Sequence, residues 1–395
     1  MDPGQQAATN RMSGIDAARG AAMLFSCLAH YGWWIEGVHP LAEHLLTTIG
    51  MIATPTFLLL SGTITGWLCA TASKNPRRTR LKLLNRGLFL LTFGHLLISL
   101  AEAHRSGSLL RTIAGATIID DIGLCMLLCA AYFSALQRPE IRRGLVGYGI
   151  AGYVACWTLI LTWHTSASGW LMLRQALLGS DPLGPVMNSY ASPTLPYACL
   201  FAVGLGISDR MVAIAREENA SRRWNLIAIG VGLVFCALLC HLLRVVLDHA
   251  LGVTGTSRLI DAPLTVGGKL PPAPAYVLAY GGAGLVLCGV FFQMASSRFR
   301  PARQVASVAA VVGKASLFVF VLQYFIYWTL PDLVGVTPED RHVVLIFLAG
   351  LGINWFAARG WNQINGNRFL TLGIGGWGGA SRTTPGPIST HPSGR

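Results

Sequence analysis

The sequence predicts an all-α, polytopic integral membrane protein of about ten transmembrane helices, with both termini cytoplasmic. Three observations predict it. The 395-residue chain is 53% hydrophobic and only 12% charged, with a mean hydropathy of +0.52, whereas soluble domains carry roughly 25% charged residues. Apolar runs long enough to cross a bilayer as a helix recur along nearly its whole length. Lysines and arginines collect in alternate loops, the pattern that orients membrane helices with their basic loops inside.

The runs, in order, fall at 15–36, 45–70, 82–101, 117–136, 145–164, 191–208, 224–247, 273–294, 305–330 and 341–358. The first follows Arg11 and carries Asp16 and Arg19 near its start. No A-x-A-like cleavage site accompanies it, so it reads as a retained span rather than a signal peptide. The second and third flank Lys74, Arg77, Arg78 and Arg80, and the fourth and fifth flank Arg138, Arg142 and Arg143. The sixth and seventh flank Arg210, Arg216, Arg222 and Arg223, and the eighth and ninth flank Arg298, Arg300 and Arg303. The tenth leads to Arg359 and Arg368. Between these basic loops lie segments holding only Arg105, Arg111, Arg174, Arg258 and Lys269, and 37–44 and 331–340 hold no Lys or Arg. Pro55, Pro193 and Pro196 interrupt runs, as membrane helices tolerate where neighbours satisfy the freed backbone groups.

This divides the chain into a cytoplasmic N-terminal tail (1–14), a transmembrane domain (15–358) and a cytoplasmic tail (359–395). The last is mostly disordered by composition, being rich in Gly, Pro, Ser and Thr from 373 on. There is no internal repeat. The net charge of +13 belongs to the basic loops, so it marks orientation in a lipid bilayer and not nucleic-acid binding. All nine cysteines fall inside apolar runs without disulfide or metal-ligand spacing, which reads as buried free thiols and no metal. The compact loops and the Ala/Gly/Arg bias point to a multi-pass protein of the bacterial inner membrane. The oligomeric state is left open, a homodimer included.

Ionisable groups inside spans are costly and are functional candidates by default. Several have ordinary alternatives. Arg86 and Lys314 lie near span ends and can snorkel, His164 lies at an interface, and His241 and Arg244 can find partners such as Asp248. Arg19 and His30 stand apart because of their spacing. Eleven residues turn an α-helix by three turns plus about 20°, so both side chains share one face, about 16 Å apart along the axis. A face running from a cation near the cytoplasm to a deep imidazole suits a substrate with an anionic end inside and a reactive end within the membrane.

Four segments carry a family resemblance. RMSGIDAARGAAMLFSCLAHY, residues 11–31, has Ile15-Asp16, Arg19, ten residues and His30. ATPTFLLLSGTITGW contains Pro55, Phe57, Ser61 and Gly62 in a P-x-F-x-x-x-S-G pattern. RLKLLNRGLFLLTFGHLL contains Lys82 and Arg86, and GKASLFVFVLQYFIY contains Gln323 where a histidine is usual. The chain resembles the membrane acyltransferase-3 family and the related heparan-α-glucosaminide N-acetyltransferase-like proteins. The acyltransferase-3 branch often has an R-x-x-R pair at the third span, where this chain has Lys82 and Arg86 instead, and Gln323 in place of histidine makes it a variant closer to the heparan-type or glucan-modifying members.

The resemblance implies acyl transfer across the membrane, from cytoplasmic acetyl-CoA or another acyl-CoA to a hydroxyl or amine of an extracytoplasmic saccharide or glycan. It implies His30 as the catalytic base or acyl carrier, since a neutral imidazole accepts a proton or an acyl group. Arg19, Lys82 and Arg86 would bind the acyl-CoA phosphates. Asp16, three residues before Arg19 on the same helix, would support it by pairing, with Ser61 and Gln323 as further supporting residues. Asp120 and Asp121 open the fourth span and are candidates for holding the acceptor; the alternative is that they cap the helix N-terminus. The ordinary alternative for His30 is a buried histidine bonded to a neighbouring helix. Two other classes fit ten spans with buried ionisable groups: a proton-coupled secondary transporter, and a non-catalytic protein of envelope-polysaccharide assembly.

Overall fold

The computed structural model describes residues 13–72, 75–165, 167–181, 192–216, 220–251, 261–337 and 343–370. The tails expected at 1–14 and 359–395 therefore lie largely outside the described residues, as do Arg11, Lys74 and Arg258. The described residues are helical, without a strand; a lone bridge joins Lys269 and Pro272.

Among them, seven helical runs are long and apolar enough to cross a membrane, or eight if the bent pair Thr194–Gly206 and Ser208–Arg216, which meet at 53°, is one span. These coincide with eight of the ten expected runs. The other two are helices that fall short of the same criterion. Ser13–Trp34 (α1) is too rich in Ala, Gly and ionisable residues, and Ile118–Ala131 (α2) has only 14 residues. The reason for α1 is its place in the bundle. Most of it is buried against other helices, so it faces protein and not lipid and needs little apolar surface of its own. The peripheral runs Ala220–Ala250 and Val344–Gln363 are the converse, each only 17% buried, and have the lipid-facing side chains that hydropathy detects.

The ninth expected run is divided. Arg300–Lys314 (α3) is amphipathic, with Arg300, Arg303 and Gln304 exposed and Ala306, Ala309 and Ala310 buried. After Ala315 a second helix, Ser316–Tyr324 (α4), begins and continues through a π-helical turn, Phe325–Thr329, toward Leu333. α3 packs against α1 with backbone almost touching backbone. A Cβ on Gly20 would lie 1.8 Å from the Ala309 carbonyl oxygen, and one on Gly313 would lie 1.7 Å from that of Asp16. Small residues at a helix crossing permit this approach where no hydrophobic effect drives helices together.

Local signals set the helices that carry the remaining site residues. Pro76–Phe89 (α5) starts with Asn75, whose side chain accepts from the Arg78 amide at 3.1 Å, and with Pro76 in the first turn. A π-helical turn at Leu90–Gly94 joins it to His95–Ser106 (α6), which ends on Gly107 in the left-handed region. α2 starts with a capping box formed by Thr117 and Asp120.

Candidate active site

A cavity of about 210 Å³ lies between these helices, and it is lined by both Arg19 and His30. The shared face deduced from their spacing therefore fronts one continuous space. One end, nearest the basic segment 75–80, has Arg19, Ser61, Lys82, Arg86 and Ser316 in its wall. The other end has His30, Trp33, Glu102, Tyr197, Lys269 and Tyr324.

At the basic end, Arg19 Nη2 donates to Ser316 Oγ at 2.5 Å, while its Nε is buried without a partner. The expected ion pair with Asp16 is not formed. The guanidinium turns instead to the start of α4, and Asp16 lies outside the cavity wall with its carbonyl against Gly313. Lys82 and Arg86, one turn apart on α5, make no ion pair among the described residues. Three cations thus share one end of the cavity, with the Asp16 carboxylate acting on Arg19 from outside the wall, an arrangement suited to a polyanionic ligand.

At the other end, α1 and α4 run parallel in nearly constant register. Arg19 contacts Ser316, Ser26 contacts Gln323, and His30 contacts Trp328. Trp328 Nε1 donates to the His30 carbonyl at 3.1 Å, and Gln323 Nε2 donates to Ser26 Oγ at 2.9 Å. The His30 ring bonds within its own helix, with Nδ1 2.7 Å from the Ser26 carbonyl oxygen. A carbonyl only accepts, so Nδ1 carries the proton and Nε2 carries the lone pair. That Nε2 is buried and has no hydrogen-bond partner. The rings of Tyr324, Trp33 and Trp328 surround the imidazole at centroid distances of 4.4, 5.1 and 5.4 Å and hold its plane. The ordinary alternative for His30, a histidine satisfied by a neighbouring helix, does not describe this ring.

Asp120 and Asp121 do not line the cavity. Asp120 accepts from the Thr117 amide at 2.7 Å and sits 2.8 Å from His95 Nδ1. Asp121 is buried and accepts from the Ser192 hydroxyl. The capping alternative describes Asp120, while Asp121 is held through one oxygen by Ser192 and leaves the other without a hydrogen-bond partner. Gln323 also lies behind the wall, acting on Ser26. Several ordinary readings hold as well: Lys314 is exposed, His164 lies 3.0 Å from Asp181, and Arg244 pairs with Asp248 at 3.8 Å and with Asp261.

Glu102 and Lys269 are cavity residues that motif reading passed over. Glu102 falls one residue past the expected end of the third run, and Lys269 is a loop cation in TVGGKLPPAP. Nothing in the neighbouring sequence brings either to His30. Trp33 and Tyr324 give no signal either, because aromatic residues are common in membrane spans.

The family model for the catalytic part of heparan-alpha-glucosaminide N-acetyltransferase matches residues 11–246, more than half of the chain. The chain belongs to this family. The match includes Arg19, His30, Ser61, Lys82 and Arg86. The heparan-alpha-glucosaminide N-acetyltransferase family consists of membrane acetyltransferases, whose members use acetyl-CoA as donor. Lys269, Ser316 and Gln323 lie beyond the matched segment, so their place beside its helices comes from the fold. No curated protein and no solved structure matches the chain.

Proposed function

We infer that the protein moves an acetyl group from acetyl-CoA, bound at the Arg19–Lys82–Arg86 end of the cavity, to a hydroxyl or amine of a saccharide that enters from the His30–Lys269 end. The observation that carries this is the bare, buried Nε2 of His30 in a cavity that also gathers the three cations Arg19, Lys82 and Arg86 in its wall. The phosphates of the donor would meet the cations, and the thioester would reach toward the imidazole.

Nε2 can serve in either of two ways. As a base, it takes the proton of the acceptor O–H or N–H while that oxygen or nitrogen bonds to the thioester carbonyl carbon. The C–S bond breaks, and the thiolate recovers the proton from the imidazolium. As a carrier, Nε2 itself attacks the carbonyl, releases CoA, and passes the acetyl group to the acceptor in a second step. Both begin from the tautomer fixed by Ser26. The basic loops of 75–80, 138–143 and 298–303 support placing the donor end in the cytoplasm, both termini included, in a bacterial inner membrane.

The test is consumption of acetyl-CoA by the purified protein in lipid nanodiscs, with and without saccharide. Acceptor-dependent release of CoA is expected. His30→Ala is expected to lower the rate by about 10²- to 10⁴-fold while leaving insertion and acetyl-CoA binding intact. Full activity in His30→Ala would overturn the assignment.

A further inference from the structure

The cavity holds one cation that donor binding does not use. Lys269 lines the wall beside His30. Its ammonium lies over the Trp33 ring, 5.3 Å from the centroid. Trp33 is one turn beyond His30 on α1 and about 21 Å along the axis from Arg19. Lys269 is therefore at the acceptor end, away from the cations assigned to the donor phosphates. It makes no ion pair among the described residues, Glu102 of the same wall included.

The loop that presents it is held firmly. Tyr197 donates its hydroxyl to the Lys269 carbonyl at 3.1 Å. The Pro272 carbonyl accepts from both Tyr153 Oη at 2.5 Å and Trp157 Nε1 at 3.0 Å. The Ala273 amide closes the turn on the Gly268 carbonyl at 2.8 Å. Three aromatic side chains from two helices thus fix the direction in which Lys269 projects. Withdrawing an ammonium from water without a counter-charge is unfavourable, and an aromatic face offsets only part of that. A fixed, unneutralised cation lining a cavity is a preorganised anion site.

We propose that Lys269, seated on Trp33, recognises an anionic group carried by the acceptor, a carboxylate or a phosphate ester on the saccharide close to the hydroxyl or amine that is acetylated. The proposal rests on the acetyl-transfer reading for the identity of the acceptor as a saccharide. Its own content is that the acceptor is charged and that Lys269 is what reads the charge.

The experiment measures equilibrium binding, without donor, of three matched saccharides to the full-length protein in nanodiscs: a neutral methyl hexoside, the corresponding uronate and the corresponding 6-phosphate. Wild type is expected to bind at least one anionic saccharide roughly tenfold or more tightly than the neutral one, and whichever anion wins identifies the group. Lys269→Gln is expected to abolish the difference by weakening the anionic ligand alone, and Lys269→Arg to keep most of it. Retained acetyl-CoA binding by Lys269→Gln reports that the variant is folded. Equal binding of neutral and anionic saccharides by wild type, or an unchanged preference in Lys269→Gln, overturns the proposal. Because the measurement needs no turnover, a protein that selects the anion yet never consumes acetyl-CoA would refute the acetyl-transfer reading and leave this one standing.

Discussion

Gln323 and Ser26 are joined by a hydrogen bond of 2.9 Å between two parallel helices 297 residues apart in sequence. Ser26 is also the residue whose carbonyl holds His30 Nδ1. The amide that replaces the usual histidine is therefore two bonds from the reactive imidazole, and it steadies the turn that fixes its tautomer.

Gln323 should behave as a positioning residue. Gln323→Ala is expected to lower kcat by about 10- to 100-fold, the range seen when outer-shell partners of a histidine are lost. Acetyl-CoA affinity should be unchanged. Gln323→His, which restores a donor at the same place, should recover most of the rate. Steady-state kinetics of the two variants beside wild type check this, and equal loss in both would exclude the role.

Arg86 offers a different signature. Its charge is at the donor end and far from the reacting atoms, so Arg86→Ala should raise KM for acetyl-CoA by about tenfold or more, through loss of a charged hydrogen bond. kcat at saturation should fall much less. Arg86→Lys should be intermediate, because an ammonium keeps the charge but loses the two-pronged geometry. A pure kcat effect would place Arg86 elsewhere in the reaction.

Acceptor selection should depend on pH. Burial pushes the Lys269 ammonium from the ordinary lysine value of 10.5 down to about 8. The cation is present below that pH and is lost as pH rises through it. Preference for an anionic over a neutral acceptor should therefore decline above pH 8, by about tenfold per unit once the lysine is mostly neutral. Lys269→Arg should hold its preference across the same range, since a guanidinium stays charged. Binding of the matched saccharides between pH 6.5 and about 9.5 checks this; a flat profile in wild type would contradict it.

The α1–α3 crossing should be intolerant of any added side chain. Gly20→Ala must displace the Ala309 carbonyl, and Gly313→Ala that of Asp16. Each is expected to destabilise the protein by about 1–3 kcal/mol or more, as overpacking does. The loss would be read as a lower thermal midpoint in detergent. Gly232→Ala and Gly352→Ala, where a Cβ meets nothing within 4 Å, are the controls and should be neutral or slightly stabilising.

Much of the fold is legible from composition because lipid imposes a simple rule on the surface that meets it. The peripheral runs Ala220–Ala250 and Val344–Gln363 satisfy that rule almost residue by residue. α1 does not, because it is mostly buried against other helices, where Ala, Gly, Asp16 and Arg19 are admissible, and α2 is apolar but short. The division at Ala315 was likewise illegible, because an amphipathic helix followed by an apolar one reads as a single run. Asp120 and Asp121 were ambiguous for a related reason: two carboxylates at a span's start can cap or bind, and only the tertiary packing shows His95 and Thr117 against Asp120 and Ser192 against Asp121, with neither in the cavity wall.

The chain's local chemistry sufficed for a helical membrane protein, for the common face of Arg19 and His30, and for the family, since periodicity and motif are properties of neighbouring residues. The tautomer of His30, the cavity that joins it to Lys82 and Arg86, and the arrival of Lys269 and Gln323 beside it come from contacts between residues hundreds of positions apart. Such contacts depend on which helices meet and at what depth, and no short stretch of sequence encodes that.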